Sequence, residues 1–291
     1  MKSAIIILLE SPAQVKPAKI LIDSLREFGG EKSQAPILFF KASEGLPDID
    51  GEMIETAVLK IDERLREYPL AAKVYACAQA ERISGNKYDS LIWMNPETLV
   101  INPPKLLDLS GKYDLAIRPV HIKNVGSSTG APLDDYWAGI YKSIGFEGEA
   151  TTVVESFVDG QQLRAYYNTH VFSANPKLGL FNLWREHFER MALDKIFQSG
   201  PCGDMLQKIF LHQAVLSALI EKMIPDTRLL ILPPDYSYPY NLQGKVPVDR
   251  RAGTLNELTV MVYEQRSIKP DEMKDIGVEE PLRSWLINKS K

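Results

Sequence analysis

The sequence predicts an α/β fold with a central mixed, mostly parallel sheet flanked by helices, and three observations carry that reading. Residues 4–9 are an unbroken aliphatic run. A helical spacing of Ile20, Leu21, Leu25 and Phe28 comes next, and residues 36–40 (Pro-Ile-Leu-Phe-Phe) then form a second apolar run. Strand, helix and strand within about 40 residues is a βαβ unit. The third observation is a change of character in the C-terminal half, where a hairpin signal, Asp159-Gly160, adds antiparallel pairing.

Each element has its own warrant. A strand without polar alternation, such as residues 4–9, is expected to be covered on both faces. Gly29-Gly30 stops the first helix. Residues 41–51 read as loop and 52–61 as a further strand. The Ala-rich stretch 69–82, carrying Lys73, Tyr75, Cys77 and Glu81, reads as a helix that feeds a short apolar strand at 91–94. A helical turn over 105–109 and a strand over 113–119 follow, then a Gly/Ser loop at 126–130 and a helix to about residue 144. Strands are expected at 151–156 and 163–174, helices at 180–193 and 204–223, a short strand at 229–232 and a late edge strand at 258–264. Residues 1–243 make one domain, with 244–291 as an extension packed on it.

Composition narrows the function. The chain has 291 residues and a net charge of −4 with both signs interspersed, so the basic footprint of a nucleic-acid binder is missing. Its two cysteines, Cys77 and Cys202, have no metal-binding spacing and suit a reducing, cytoplasmic setting. The apolar N-terminal run is too short for a secretory leader, and no stretch approaches a membrane span. Neither a dinucleotide-binding nor a P-loop glycine motif occurs.

The stretch Trp93-Met94-Asn95-Pro96-Glu97-Thr98-Leu99-Val100 is the first candidate site. Pro96 disfavours the helical region for Asn95, and in an extended chain residues i and i+2 share a side. Asn95 and Glu97 are therefore expected to face one space at the carboxyl end of a strand, where open α/β sheets bind ligands. The same residues also suit a turn with a solvated carboxylate.

In this order of features the chain resembles the GT-A-type nucleotide-diphospho-sugar transferases, most closely the family 8 glycosyltransferases. The 93–100 stretch matches the frame of that family's Asp-x-Asp strand, with Asn95 and Glu97 at the acidic positions. Tyr167-Asn168-Thr169-His170-Val171-Phe172 looks like its Asn-Ser/Thr-Gly strand, with His170 for glycine. His212-Gln213 looks like its Asp-Gln helix, with His for Asp, and residues 232–238 resemble its Leu-Pro segment without the Asn. The likeness runs from residue 4 to about 242, and the remainder has no counterpart in it.

The resemblance implies a Rossmann-like GT-A fold, a nucleotide-diphosphate sugar as donor, an unknown acceptor, and Mg²⁺ or Mn²⁺ held by Asn95, Glu97 and His212. Replacing one carboxylate by an amide beside a divalent ion costs on the order of several kcal/mol of attraction at an effective dielectric of about 20. The donor contacts it implies are Glu10 and Ser11 after the first strand, Lys73, Asn95, Glu97, Arg118 and His121 at a strand end, Asp135 opening a helix, Asn168 and His170, and Gln213. Ordinary roles compete at several of these. Arg118 suits a surface ion pair, Asp135 a helix start, and His212 a packed position on the inward face of its helix. The expectation is a glycosyltransferase; the alternative is a catalytically inactive GT-A-like protein that binds a nucleotide or sugar.

Overall fold

The unbroken run of the first strand is explained by what covers it. In the computed structural model, which describes residues 2–148 and 150–289, β1 (Ser3–Leu9) is buried along its whole length. Ala4, Ile6 and Leu8 face one core while Ile5, Ile7 and Leu9 face a second on the other side of the sheet. Alternate side chains point to opposite faces of a strand, so a strand apolar at every position needs two cores.

α1 (Val15–Phe28) lies on the second face, and β2 (Ile37–Lys41) returns parallel to β1 with Ile5 opposite Ile37. β3 (Ile54–Val58) adds to the outside of β2. α2 (Ala71–Ser84) then crosses the first face to β4 (Ser90–Met94), which pairs parallel with β1 on its other side. β5 (Thr98–Val100) leaves this sheet, and β6 (Leu115–Ile117) rejoins it. α3 (Asp135–Ile144) follows, then the hairpin of β7 (Val153–Glu155) and β8 (Gln162–Arg164). Gly160 turns that hairpin at φ +62°.

β9 (Val171–Ala174) runs antiparallel between β4 and β6. α4 (Leu180–Leu193), α5 (Lys195–Ser199) and α6 (Met205–Met223) cover the first face, and β10 (Leu229–Ile231) pairs parallel with β6. The seven-stranded order is β10-β6-β9-β4-β1-β2-β3. The chain ends with β11 (Tyr238–Pro239), β12 (Val260–Val262) and α7 (Leu282–Lys289). No helix among the described residues is long and apolar enough to cross a membrane.

Three local expectations change. The strand expected over 163–174 breaks into β8 and β9. Between them Tyr167 N–H donates to the Ser217 hydroxyl, and Asn168 Oδ1 takes the His170 N–H at 2.7 Å. An Asn side chain that captures a nearby backbone N–H competes with ladder pairing. The late strand is not an edge: β12 lies between β11 and β5 in a three-stranded sheet. Finally, α5 forms within the connection between the two expected helices, with Asp194 accepting from the N–H groups of Ile196 and Phe197.

Residues after 243 share a third core with the rest of the chain. Leu99, Ile101 and Phe157 pack there with Leu255, Met261, Leu282 and Leu286. At the amino end of the main sheet, the buried Lys32 donates to Ser3 Oγ and Asp108 Oδ2, each at 3.0 Å. Ser90 Oγ donates to Ser3 Oγ at 2.8 Å, joining the starts of β1 and β4.

Candidate functional site

β1 continues to β2 and β3 on one side, while β4 lies on its other side. That reversal is a topological switch point, and a crevice opens at the carboxyl ends of the two strands there. A cavity of about 460 Å³ occupies it, within the usual range for a small-molecule site. Its lining comes from the ends of β1 and β4, from α2 and α6, from the 120–124 and 168–170 segments, and from Asn241, Leu242 and Glu264.

Backbone strain concentrates here. Among the described residues six non-glycine residues hold positive φ, and three of them, Leu70, Asn124 and Glu264, line this cavity. Left-handed backbone at side-chain-bearing residues costs free energy and clusters at functional sites.

Asn95 and Glu97 both reach the cavity, but not through an extended chain. Pro96 and Glu97 form a turn, closed by Thr98 Oγ1 donating to the Asn95 carbonyl at 2.7 Å. Asn95 Oδ1 accepts the Trp93 indole N–H at 2.9 Å. The Glu97 carboxylate makes no hydrogen bond among the described residues. Burial, and then the charge of Glu264, push its pKa up. At the end of β1, Glu10 retains accessible surface. The protein crowds its carboxyl enough to raise its pKa, and Lys73 pulls in the opposite direction.

Lys73 projects from the first turn of α2. Its ammonium is buried, donates to the Thr169 carbonyl at 3.2 Å and stands 5.3 Å from the centre of the Trp93 ring. Burial lowers its pKa to about 8, with Glu10 opposing. Beside it, His212 is committed at both nitrogens, Nδ1 to the Ile209 carbonyl at 2.9 Å and Nε2 to Thr169 Oγ1 at 3.0 Å. Burial and Lys73 hold it neutral.

Asn168, Thr169 and His170 line the cavity from an irregular segment. His170 Nδ1 faces Asn168 Oδ1 at 2.8 Å and Nε2 faces Glu264 Oε1 at 3.1 Å. A neutral imidazole has one N–H and donates to one of these acceptors; an imidazolium donates to both. The ring stacks on His121, 5.6 Å between centres. His121 also lines the cavity, with Nε2 against the Ser237 carbonyl at 2.9 Å, and burial keeps it uncharged. Gln213 completes the α6 wall.

Three residues expected in the site lie outside the lining. Arg118 is buried away from the cavity, donating to the carbonyls of Pro234, Tyr236 and Ser237 at 3.0–3.2 Å and lying over the Phe157 ring. All three contacts are made by Nη1, which ties the 234–237 turn to the end of β6, and the guanidinium lies outside the cavity lining where a phosphate would sit. Asp135 is exposed in the first turn of α3, and Ser11 turns away after β1. Gln14 lines the wall near Ser11, its Oε1 accepting the Glu10 N–H at 2.8 Å.

Glu264, Asn241 and Gln14 were not read from the sequence. Gln14 sits one turn beyond Ser11, a register shift that helix geometry accounts for. Glu264 carries no motif, and only the pairing of β12 with β5 brings it to the Asn95–Glu97 turn.

A hard divalent ion takes oxygen ligands. Of Asn95, Glu97 and His212, only Glu97 presents an uncommitted carboxylate. The Asn95 oxygen already accepts the indole N–H, and both His212 nitrogens are engaged. Among the described residues no three His, Cys, Asp or Glu side chains gather as a metal-holding group. As arranged, the trio offers a divalent ion one free carboxylate, one amide oxygen shared with an indole N–H and no free imidazole nitrogen.

The lining divides by hydrogen-bonding character. Lys73 and the Asn168 side-chain N–H₂ supply donors, and Glu10 and Glu97 supply free acceptors. Such a surface suits a ligand carrying both anionic or carbonyl oxygens and hydroxyl groups. Compared with known proteins, the chain matches no family model and no curated sequence.

Proposed function

We propose that the cavity binds a nucleotide-diphosphate sugar and that the protein is a glycosyltransferase of the GT-A type. The observation that supports this most is the place of the Asn95–Glu97 turn. It opens at the β1/β4 switch point, facing Lys73 across one cavity. In this reading the diphosphate lies against the Lys73 ammonium and the Asn168 N–H₂, and the sugar hydroxyls meet the Glu97 and Glu10 carboxylates.

Catalysis is then electrostatic. Lys73 holds a positive charge where the departing diphosphate gains negative charge, at a buried position where such a charge is little screened by water. Titration calorimetry with UDP- and GDP-sugars, with and without Mn²⁺, is expected to give binding to at least one donor. Absence of binding to every donor under both conditions removes the reading.

A second reading is a catalytically inactive GT-A-like protein that binds a nucleotide or sugar. It is favoured by the commitment of the Asn95 oxygen to the Trp93 indole, together with three acidic side chains in the lining against one lysine. Donor-hydrolysis assays separate the two. Binding without turnover, indifferent to Glu97→Ala, selects the second.

A further inference from the structure

We propose that Glu264 is a positioning residue of this cavity: by tying down His170 it fixes the Asn168 carboxamide so that the N–H₂ group faces the ligand. The inference rests on the donor-binding reading for the identity of that ligand, but its geometry stands apart from it. Glu264 lies in the segment after residue 243, which the resemblance leaves without a counterpart.

The chain of contacts runs from the carboxylate inward. Glu264 Oε1 meets His170 Nε2 at 3.1 Å, and Oε2 accepts from the Asn241 side chain. His170 in turn brings two nitrogens to one atom, Asn168 Oδ1: its backbone N–H donates at 2.7 Å and ring Nδ1 lies at 2.8 Å. A backbone N–H can only donate, which identifies that atom as the amide oxygen. The other end of the carboxamide, Nδ2, makes no hydrogen bond among the described residues, although Asn168 is 4% exposed and lines the cavity. Nδ2 is not one of the buried polar atoms, so its N–H₂ keeps access to the cavity and is free to donate to what enters it. With Lys73 close by on the Thr169 carbonyl, its natural acceptor is a phosphoryl or hydroxyl oxygen of the ligand.

The backbone of Glu264 is a second, independent observation. It holds φ +45°, a left-handed conformation that side-chain-bearing residues rarely adopt, one residue after Tyr263 and two after the end of β12. Glycine fits that conformation without strain. A residue retained only for the turn is therefore replaceable by glycine, whereas one retained for its carboxylate is not.

This contrast sets the experiment. Glu264→Gly is expected to keep the cooperative unfolding and thermal midpoint of the full-length protein while weakening its tightest UDP- or GDP-sugar at least tenfold by calorimetry. Glu264→Gln keeps one acceptor oxygen and is expected to recover part of that loss. Wild-type affinity in Glu264→Gly overturns the proposal. A second measurement needs no ligand: the Asn168 side-chain ¹H–¹⁵N pair, assigned by its disappearance in Asn168→Asp. It is expected to be sharp in the wild type and shifted and broadened in Glu264→Gly. An unchanged pair overturns the proposal whether or not a donor binds. A shifted pair in a protein that binds no donor supports the positioning role while removing the proposed function.

Discussion

At the scale of single residues, Lys73 is where stability and binding pull apart. Its pKa in the folded chain is about 8, below the ordinary lysine value of about 10.4. Between those two values the unfolded chain holds more protons than the folded one, so the contribution of Lys73 to stability rises with pH across that window. Its attraction for a diphosphate runs the other way, present below pH 8 and lost above it. Donor affinity is therefore expected to fall between pH 7 and pH 9 while the urea midpoint shows no parallel loss from this residue. Lys73→Met is expected to raise stability at pH 7 by on the order of 1–3 kcal/mol, because it removes a buried charge. The same variant is expected to weaken donor binding tenfold or more. A Lys73→Met protein that binds as tightly as wild type would falsify the role given to this ammonium. Arg118 offers the control. Arg118→Met leaves three carbonyls without their donor, an expected loss of about 2–4 kcal/mol in urea unfolding with the affinity of the folded fraction unchanged.

Elements carry a different lesson, because several are completed by a neighbour. The N-terminus of α4 begins after Gly179 and has no side-chain cap of its own. Glu81, on α2, reaches across to accept the N–H groups of Phe181 and Asn182 at 3.1 and 2.8 Å, and a side-chain N–H of Asn182. Glu81→Ala is expected to cost about 2 kcal/mol, read as a lower urea midpoint with an unchanged slope. The periodicity that placed α4 at residues 180–193 is local and therefore legible in the sequence. The cap is not, since it lies about a hundred positions away along the chain. The same division runs through the candidate site. Asn95, Glu97 and Lys73 sit at strand and helix ends that apolar runs and Pro96 mark out. Arg118 occupies such an end as well, yet its environment is decided by the 234–237 turn, which local pattern does not foresee. The residues of 163–174 suit a strand, and the ladder breaks there because Ser217 and the Asn168 side chain take hydrogen bonds it would use.

For the whole molecule, the question is whether residues after 243 stand apart. They do not pack as a separate layer: β12 bonds to β5 on one side and β11 on the other, and the third core mixes side chains from both ends of the chain. Unfolding followed by tryptophan fluorescence, which includes Trp285 beside Phe28, and by far-ultraviolet circular dichroism is expected to give one coincident transition. Two separated transitions would show that the late segment melts by itself. Sequence periodicity gave no hint of this closure, because β5 and β12 are three residues each and their pairing spans most of the chain.

The Lys32–Ser3–Ser90 junction beneath the sheet has a mechanical consequence. It clamps β1 and β4 at their amino ends, so the two strands behave as tines of a fork fixed at the handle and cannot slide past each other without breaking buried polar contacts. Adaptation to a guest therefore falls to the tips: the Asn95–Glu97 turn, the 168–170 segment and the Glu264 side chain. If the cavity binds the proposed donor, selectivity is expected to depend on how those three tips seat themselves on a rigid handle, and substitutions at Ser3 or Ser90 are expected to loosen discrimination between sugar nucleotides, measured by calorimetry, before they abolish binding.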